Sequence, residues 1–142
     1  MGYAVVERSG SRLSAIEYGV IDTPPGPLPD RLVQIEARIA ELLTTHRPDA
    51  MAVEKLLFAA NKTTALDVAK AAGVALMLGG RAGLAVEEIT PAEVKQAVVG
   101  VGNADKRQVQ YMVQRLLSLP GPPKPDDAAD ALAVAIAKAL RG

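Results

Sequence analysis

Three carboxylates from two distant stretches carry the first chemical signal in this chain. Glu54 closes the short unbroken apolar run Ala50-Met51-Ala52-Val53, while Asp127 and Asp130 stand three apart in Asp127-Ala128-Ala129-Asp130. Near a helix start that spacing puts both aspartates on one face, β carbons about 5 to 6 Å apart, where they can share a metal. A Glu at the carboxyl end of a buried strand sits at the edge where open α/β sheets hold their ligands. Converging acids repel one another and lose water, so their pKa values rise unless a cation neutralises them. Mg2+ is the natural cation, because it takes oxygen ligands and keeps waters for the chemistry. Spacing alone leaves a plainer reading open. Aspartates in a first turn are favoured by the helix macrodipole, and a Glu ending a strand is commonly just solvated.

Composition limits what else can operate. The chain has 142 residues, 49 % of them hydrophobic, which suits one domain spanning 1–142 with a real core. One Phe, three Tyr and no Trp mean that Ala, Val, Leu and Ile must build that core. Without cysteine there is no disulfide and no thiolate zinc site. His46 as the single histidine gives no imidazole cluster, so a bound metal should be hard and oxygen-ligated. The start, Met1-Gly2-Tyr3-Ala4-Val5-Val6-Glu7-Arg8, lacks the pattern of a secretory signal, and no stretch approaches the length that spans a bilayer. A cytoplasmic protein without a membrane partner is expected. Sixteen Lys and Arg balance sixteen Asp and Glu, so a nucleic-acid partner requires positive charge that is local.

The elements that must position the acids can be read from pattern. Tyr3 to Arg8 and Arg12 to Asp22 read as strands around Ser9-Gly10-Ser11, a hairpin turn cluster. Pro24, Pro25, Pro27 and Pro29 interrupt regular structure until the last opens a helix. Its stripe of Leu32, Ile35, Ile39, Leu42 and Leu43 runs on to an end near Pro48. Ala50 to Val53 reads as a strand covered on both faces, Ala65 to Leu78 as a small-residue packing helix, and Leu84 to Ile89 as a further strand. Thr90-Pro91-Ala92-Glu93 is a helix start with cap, Pro and capping-box acid. Helices over Lys106 to Leu117 and Asp126 to Leu140 flank a Pro-rich loop. A strand pair followed by alternating helices and strands predicts an α/β domain, a mixed sheet with helices on both faces.

Four segments then stand in a familiar order. Ala50 to Glu54, Lys95-Gln96-Ala97-Val98-Val99-Gly100, Lys106-Arg107-Gln108-Val109-Gln110-Tyr111-Met112-Val113 and Asp127-Ala128-Ala129-Asp130-Ala131-Leu132-Ala133 together resemble successive signatures of the RuvC group of Holliday junction resolvases, over nearly the whole chain. The resemblance implies a ribonuclease H-like fold and a homodimer. It also implies four carboxylates holding two Mg2+ ions, with Mn2+ able to replace them, for symmetric cleavage of four-way junction DNA in recombination and repair. Glu54, Asp127 and Asp130 match three of the four catalytic, metal-holding carboxylates. The family's Asp-Pro-Gly motif would precede a segment resembling Gly2-Tyr3-Ala4-Val5-Val6, so the first central strand and its ligand are expected to be missing. No other acid, including Glu7, Asp22 and Asp126, has a matching position.

In the chemistry thus implied, two ions about 3.5 to 4 Å apart activate water and stabilise the leaving 3′ oxygen. With one bridging carboxylate absent, weak metal binding and poor cleavage are expected. Lys95 and Lys106 match basic positions near the scissile phosphate and junction backbone, with Arg107 beside them, although without the resemblance a lysine on an amphipathic helix is more readily read as solvated. Phe58 falls where the family places an apolar residue near the junction centre, able to stack on an opened base, although a lone Phe is more often core. Asn61 and Lys62 open a helix whose N-terminus suits phosphate or simple capping. The helix from Ala65 to Leu78 is the candidate dimer contact, with ordinary packing inside one protomer as its alternative. The resemblance also admits a branch-migration motor complex as a partner. Competing readings are a junction-binding dimer that does not cut, and a phosphoacceptor or small-molecule α/β domain, which the absence of a Gly-rich phosphate loop disfavours. A Ser-His-acid hydrolase is disfavoured by the single His46, which reads as a solvent-facing residue at a helix C-terminus.

Overall fold

A computed structural model describes the backbone of residues 1–55 and 62–142 and the side chains of 1–55 and 66–142. The elements follow as β1 (Gly2–Ser9), β2 (Arg12–Val20), α1 (Leu28–His46), β3 (Ala50–Glu54), α2 (Lys62–Arg81), β4 (Ala85–Ile89), α3 (Pro91–Val98), α4 (Lys106–Leu116) and α5 (Asp126–Arg141). The hairpin closes through Gly10 at φ +63, a left-handed conformation that glycine adopts without steric cost. Val5 pairs with Glu17 but Val6 pairs with Ala15, so Ile16 is the extra residue of a bulge that increases local twist. β3 and β4 are parallel, from Ala50 opposite Ala85 to Glu54 opposite Ile89.

Period-two alternation distributes each strand between two cores. Ala4, Val6, Leu13, Ala15 and Ala52 pack with the apolar faces of α3, α4 and α5. Tyr3, Ile21, Met51 and Val53 pack with α1 and α2 on the other side. Helices thus cover both faces, as the strand and helix pattern predicts. The expected single mixed sheet is instead two hydrogen-bonded pairs, β1 with β2 and β3 with β4. Among the described residues no strand lies between them to complete one ladder, and α5 spans the two pairs by packing on β1, β2 and β3.

α5 can serve both pairs because its small residues allow close approach. Ala128, Leu132, Ile136 and Ala137 are wholly buried. At one end a Cβ on Gly2 would lie 2.0 Å from the Asp127 carbonyl oxygen, so only glycine lets the helix start against β1. Toward the other end the Arg8 Nη1 donates to the Ala139 carbonyl at 2.8 Å. α5 therefore runs alongside β1 in the same direction, with its first turn beside the start of the strand. Gly79 does the same service for α2, where a Cβ would stand 2.7 Å from Met51 Sδ and Val86 Cγ2.

Candidate metal and nucleic-acid site

The end of β3 is held from its neighbour strand. The Lys55 N–H donates to the Ile89 carbonyl at 2.8 Å, so the ladder continues one residue past Glu54 and fixes the backbone that carries it. α3 starts beyond β4 in a capping box, with the Glu93 N–H donating to Thr90 Oγ1 at 3.2 Å and the Thr90 N–H donating to Glu93 Oε1 at 3.1 Å. α4 starts in a second box. The Gln108 N–H donates to Asp105 Oδ1 at 2.8 Å and the Asp105 N–H to Gln108 Oε1 at 2.9 Å. These caps set the first turns of two helices, and with them Lys95 and Lys106.

The result is one cavity of about 300 Å³ lined by Glu54, Lys95, Asp105, Lys106, Gln110 and Asp130, over an apolar floor that includes Val94 and Val109. Two of the three predicted carboxylates therefore meet, although they are 76 positions apart (130 minus 54). Burial pushes the Glu54 carboxyl above its ordinary value, the charge of Asp130 adds to the rise, and Lys95 opposes it. Burial likewise raises Asp130, against the pull of Lys106 and with Asp127 and Asp126 reinforcing it. Carboxylates gathered in this way have their charged forms penalised, and a bound cation would relieve that penalty.

Asp127 is placed differently. All three carboxylates reach the surface, but Asp127 does not line the cavity, and no group of three His, Cys, Asp or Glu able to hold a metal occurs among the described residues. Helix geometry explains this: residues three apart are offset by about 60° and nearly one turn, and only Asp130 lies at the level of Glu54. The donor set suits one hard, oxygen-ligated divalent ion, since Mg2+ is commonly bound through one or two carboxylates plus substrate phosphate. It does not by itself form a closed two-ion cage.

Lys106 is not free, because its Nζ lies 3.0 Å from Asp126 Oδ2. The hydrogen bond to Asp126 holds the ammonium above its usual range and Asp126 below its own. Gln110 Nε2 donates to the same carboxylate at 3.3 Å. Sequence reading gave Asp126 no role, yet it meets Lys106 across the α4–α5 junction, each being the first residue of its helix, and its place in a first turn next to two other acids was the available signal. Arg107 is exposed and does not line the cavity. Phe58 and Asn61 lie outside the described residues, as does the Lys62 side chain.

His46 corrects another expectation. It does end α1, but its ring turns inward to Glu17, with Nε2 to Oε1 at 2.8 Å and only 15 % of the side chain exposed. Tyr3 Oη donates to Glu17 Oε2 at 2.7 Å and Arg38 Nη2 donates to that oxygen at 2.8 Å. The partners of Glu17, Tyr3 first, lower its carboxyl to about 2. The group clamps β2 to α1 on the face away from the cavity.

Comparison with known proteins identifies the family. The model of the family "Crossover junction endodeoxyribonuclease RuvC" matches residues 1–138. The RuvC of Rubrobacter xylanophilus is 52 % identical over 141 residues, covering 99 % of this chain and 79 % of its own length. That of Brevibacillus brevis is 50 % identical, covering 98 % of this chain and 84 % of its own length. The structure of Thermus thermophilus RuvC in complex with Holliday junction substrate superposes with a TM-score of 0.91 at 36 % identity, covering 99 % of this chain and 86 % of that one. The expectation that a first strand is missing finds no support in these comparisons. With its helices on both faces of the strands and this breadth of similarity, the chain has a ribonuclease H-like fold and belongs to the RuvC family of crossover junction endodeoxyribonucleases.

Proposed function

We propose that the chain acts as one domain, in the cytoplasm, as a structure-selective endonuclease that cuts four-way junction DNA with Mg2+ or Mn2+. The observation that carries this reading is the shared cavity, in which Glu54 and Asp130 face Lys95 and Lys106. Glu54 and Asp130 would hold a divalent ion, with Asp127 close enough to raise the Asp130 pKa and able to join through water. When bound, such an ion polarises a phosphoryl oxygen and acidifies its coordinated water. The protein's own share is positioning. Lys95 and Lys106 draw a phosphate to the cavity, Asp126 keeps the Lys106 ammonium charged and oriented, and the β3–β4 ladder fixes Glu54. Arg107 would meet the junction backbone outside the cavity, and Phe58 would stack at the junction centre.

A homodimer is part of the proposal, because paired nicks on a near-symmetric substrate call for two facing sites. α2 supports it. Ala71, Ala75 and Leu78 are buried against the protomer's own core, while Leu66, Val68 and Met77 stay exposed. A second reading is a junction-binding dimer with little cleavage. It is favoured by the lack of a three-carboxylate group among the described residues, which also makes weak metal affinity the expected behaviour.

The test is incubation of the full chain with a synthetic four-way junction and with linear duplex of the same sequence, at rising Mg2+. Nicks in the junction only, growing through the millimolar range and absent in EDTA, are the expected result. A junction shifted on a gel in EDTA but uncut at every Mg2+ or Mn2+ concentration would favour the second reading.

A further inference from the structure

The 11 residues of α4, Lys106-Arg107-Gln108-Val109-Gln110-Tyr111-Met112-Val113-Gln114-Arg115-Leu116, include three cations and no acid, in a chain whose formal charge sums to zero. Two of the cations stand in the first turn, where the macrodipole disfavours positive charge. Asp126 offsets Lys106, but neither Arg107 nor Arg115 has an ion pair among the described residues. A sequence that keeps a cation against the local field, with no internal anion to answer it, is arranged for an anion supplied from outside.

The side chains fall in line. Arg107, Tyr111 and Arg115 are four apart and exposed, so they form one stripe along the helix, about 12 Å from first to last at 1.5 Å per residue. The Tyr111 ring is 57 % exposed. The Arg115 guanidinium lies 5.8 Å from its centroid, and Arg115 Nη1 donates to Tyr111 Oη at 3.3 Å. Stacking holds the guanidinium in place and leaves most of its donors unused, and this lowers the ordering cost of gripping a phosphate. Lys106 at the head of the helix joins the stripe to the cavity.

We propose that this face of α4 is a further DNA contact, on which Arg107 and Arg115 grip the sugar-phosphate backbone of a junction arm as it leaves the cavity. The inference rests on reading that cavity as the junction site. With about 12 Å between its ends, the stripe is long enough to reach more than one phosphate of a strand. Recognition is by backbone charge and is independent of base sequence.

Fluorescence anisotropy of a labelled four-way junction in EDTA, titrated with the full chain between 50 and 200 mM salt, tests it. Each lost phosphate contact flattens the slope of log affinity against log salt by about 0.9. Arg115→Gln and Arg107→Gln should each flatten it by about one and weaken binding at least about threefold at 50 mM salt, with unchanged melting temperature, while Arg115→Lys keeps the wild-type slope. Unchanged slopes in both glutamine variants of a chain that binds the junction overturn this proposal and leave the cavity reading standing. A chain that prefers duplex to junction, yet still shows the Arg115-dependent slope, overturns the cavity reading and supports a backbone contact on α4. Binding to no DNA at all overturns both.

Discussion

Glu54 and Asp130 are set in opposition to stability. Both carboxyls titrate above their ordinary values because partial burial penalises their charge, with Asp130 adding to the rise at Glu54 and Asp127 and Asp126 to the rise at Asp130. A group with a raised folded-state pKa keeps its proton in the folded chain at pH values where the unfolded chain has released it. Stability therefore falls as pH rises from the ordinary carboxylate range through the raised values, and at neutral pH both groups work against folding. Glu54→Gln and Asp130→Asn should each raise the metal-free melting temperature at pH 7 and abolish most of the rise that Mg2+ produces in the wild type. That rise corresponds to about 1.4 kcal/mol at tenfold excess over Kd. Calorimetry with and without 10 mM Mg2+ checks this, and variants that melt lower than wild type without metal would speak against it. At this scale the sequence was informative about Glu54 and Asp130, whose types and settings suggested that they share one site, and both line one cavity. It was silent on the Lys106–Asp126 pair, because that bond depends on how α4 and α5 abut.

Local chemistry marked the elements well. Proline and glycine punctuation, the apolar stripe from Leu32 to Leu43 and the Thr90–Glu93 box placed helix and strand boundaries within a few residues of those observed. The second box, Asp105 with Gln108, has the same spacing and was legible in principle. What pattern could not supply was how elements are tied. Glu17 on β2 gathers Tyr3, Arg38 and His46, contacts between residues up to 29 positions apart that no periodicity encodes. Its lowered pKa, about 2 against the ordinary 4.5, fixes the direction of its pH effect. The stabilisation is complete above about pH 4.5 and is lost as pH falls toward 2. Glu17→Gln should melt below wild type at pH 7, with the difference shrinking steadily on acidification to pH 2. A difference that stays constant over that range would show that the clamp acts by shape and not by charge.

For the whole molecule, the layered α/β arrangement followed from the order of elements, whereas its division into two strand pairs bridged by α5 did not, since hydrogen-bond partners across a sheet are non-local. The exposed apolar residues of α2, Leu66, Val68 and Met77, predict self-association. Sedimentation equilibrium at micromolar concentrations should give twice the mass of 14.8 kDa, and Met77→Lys should shift the equilibrium toward monomer by tenfold or more, a cost of about 1.4 kcal/mol per factor of ten. The catalytic account needs only that remote segments share one site. Its most direct test is single-turnover cleavage of a four-way junction by wild type, Glu54→Gln and Asp130→Asn at saturating protein and 10 mM Mg2+, alongside junction binding in EDTA. Each variant should bind as well as wild type and cut more slowly by more than the roughly 10- to 100-fold typical of losing an outer-shell partner of a metal. Cleavage at the wild-type rate by either variant would contradict the assignment.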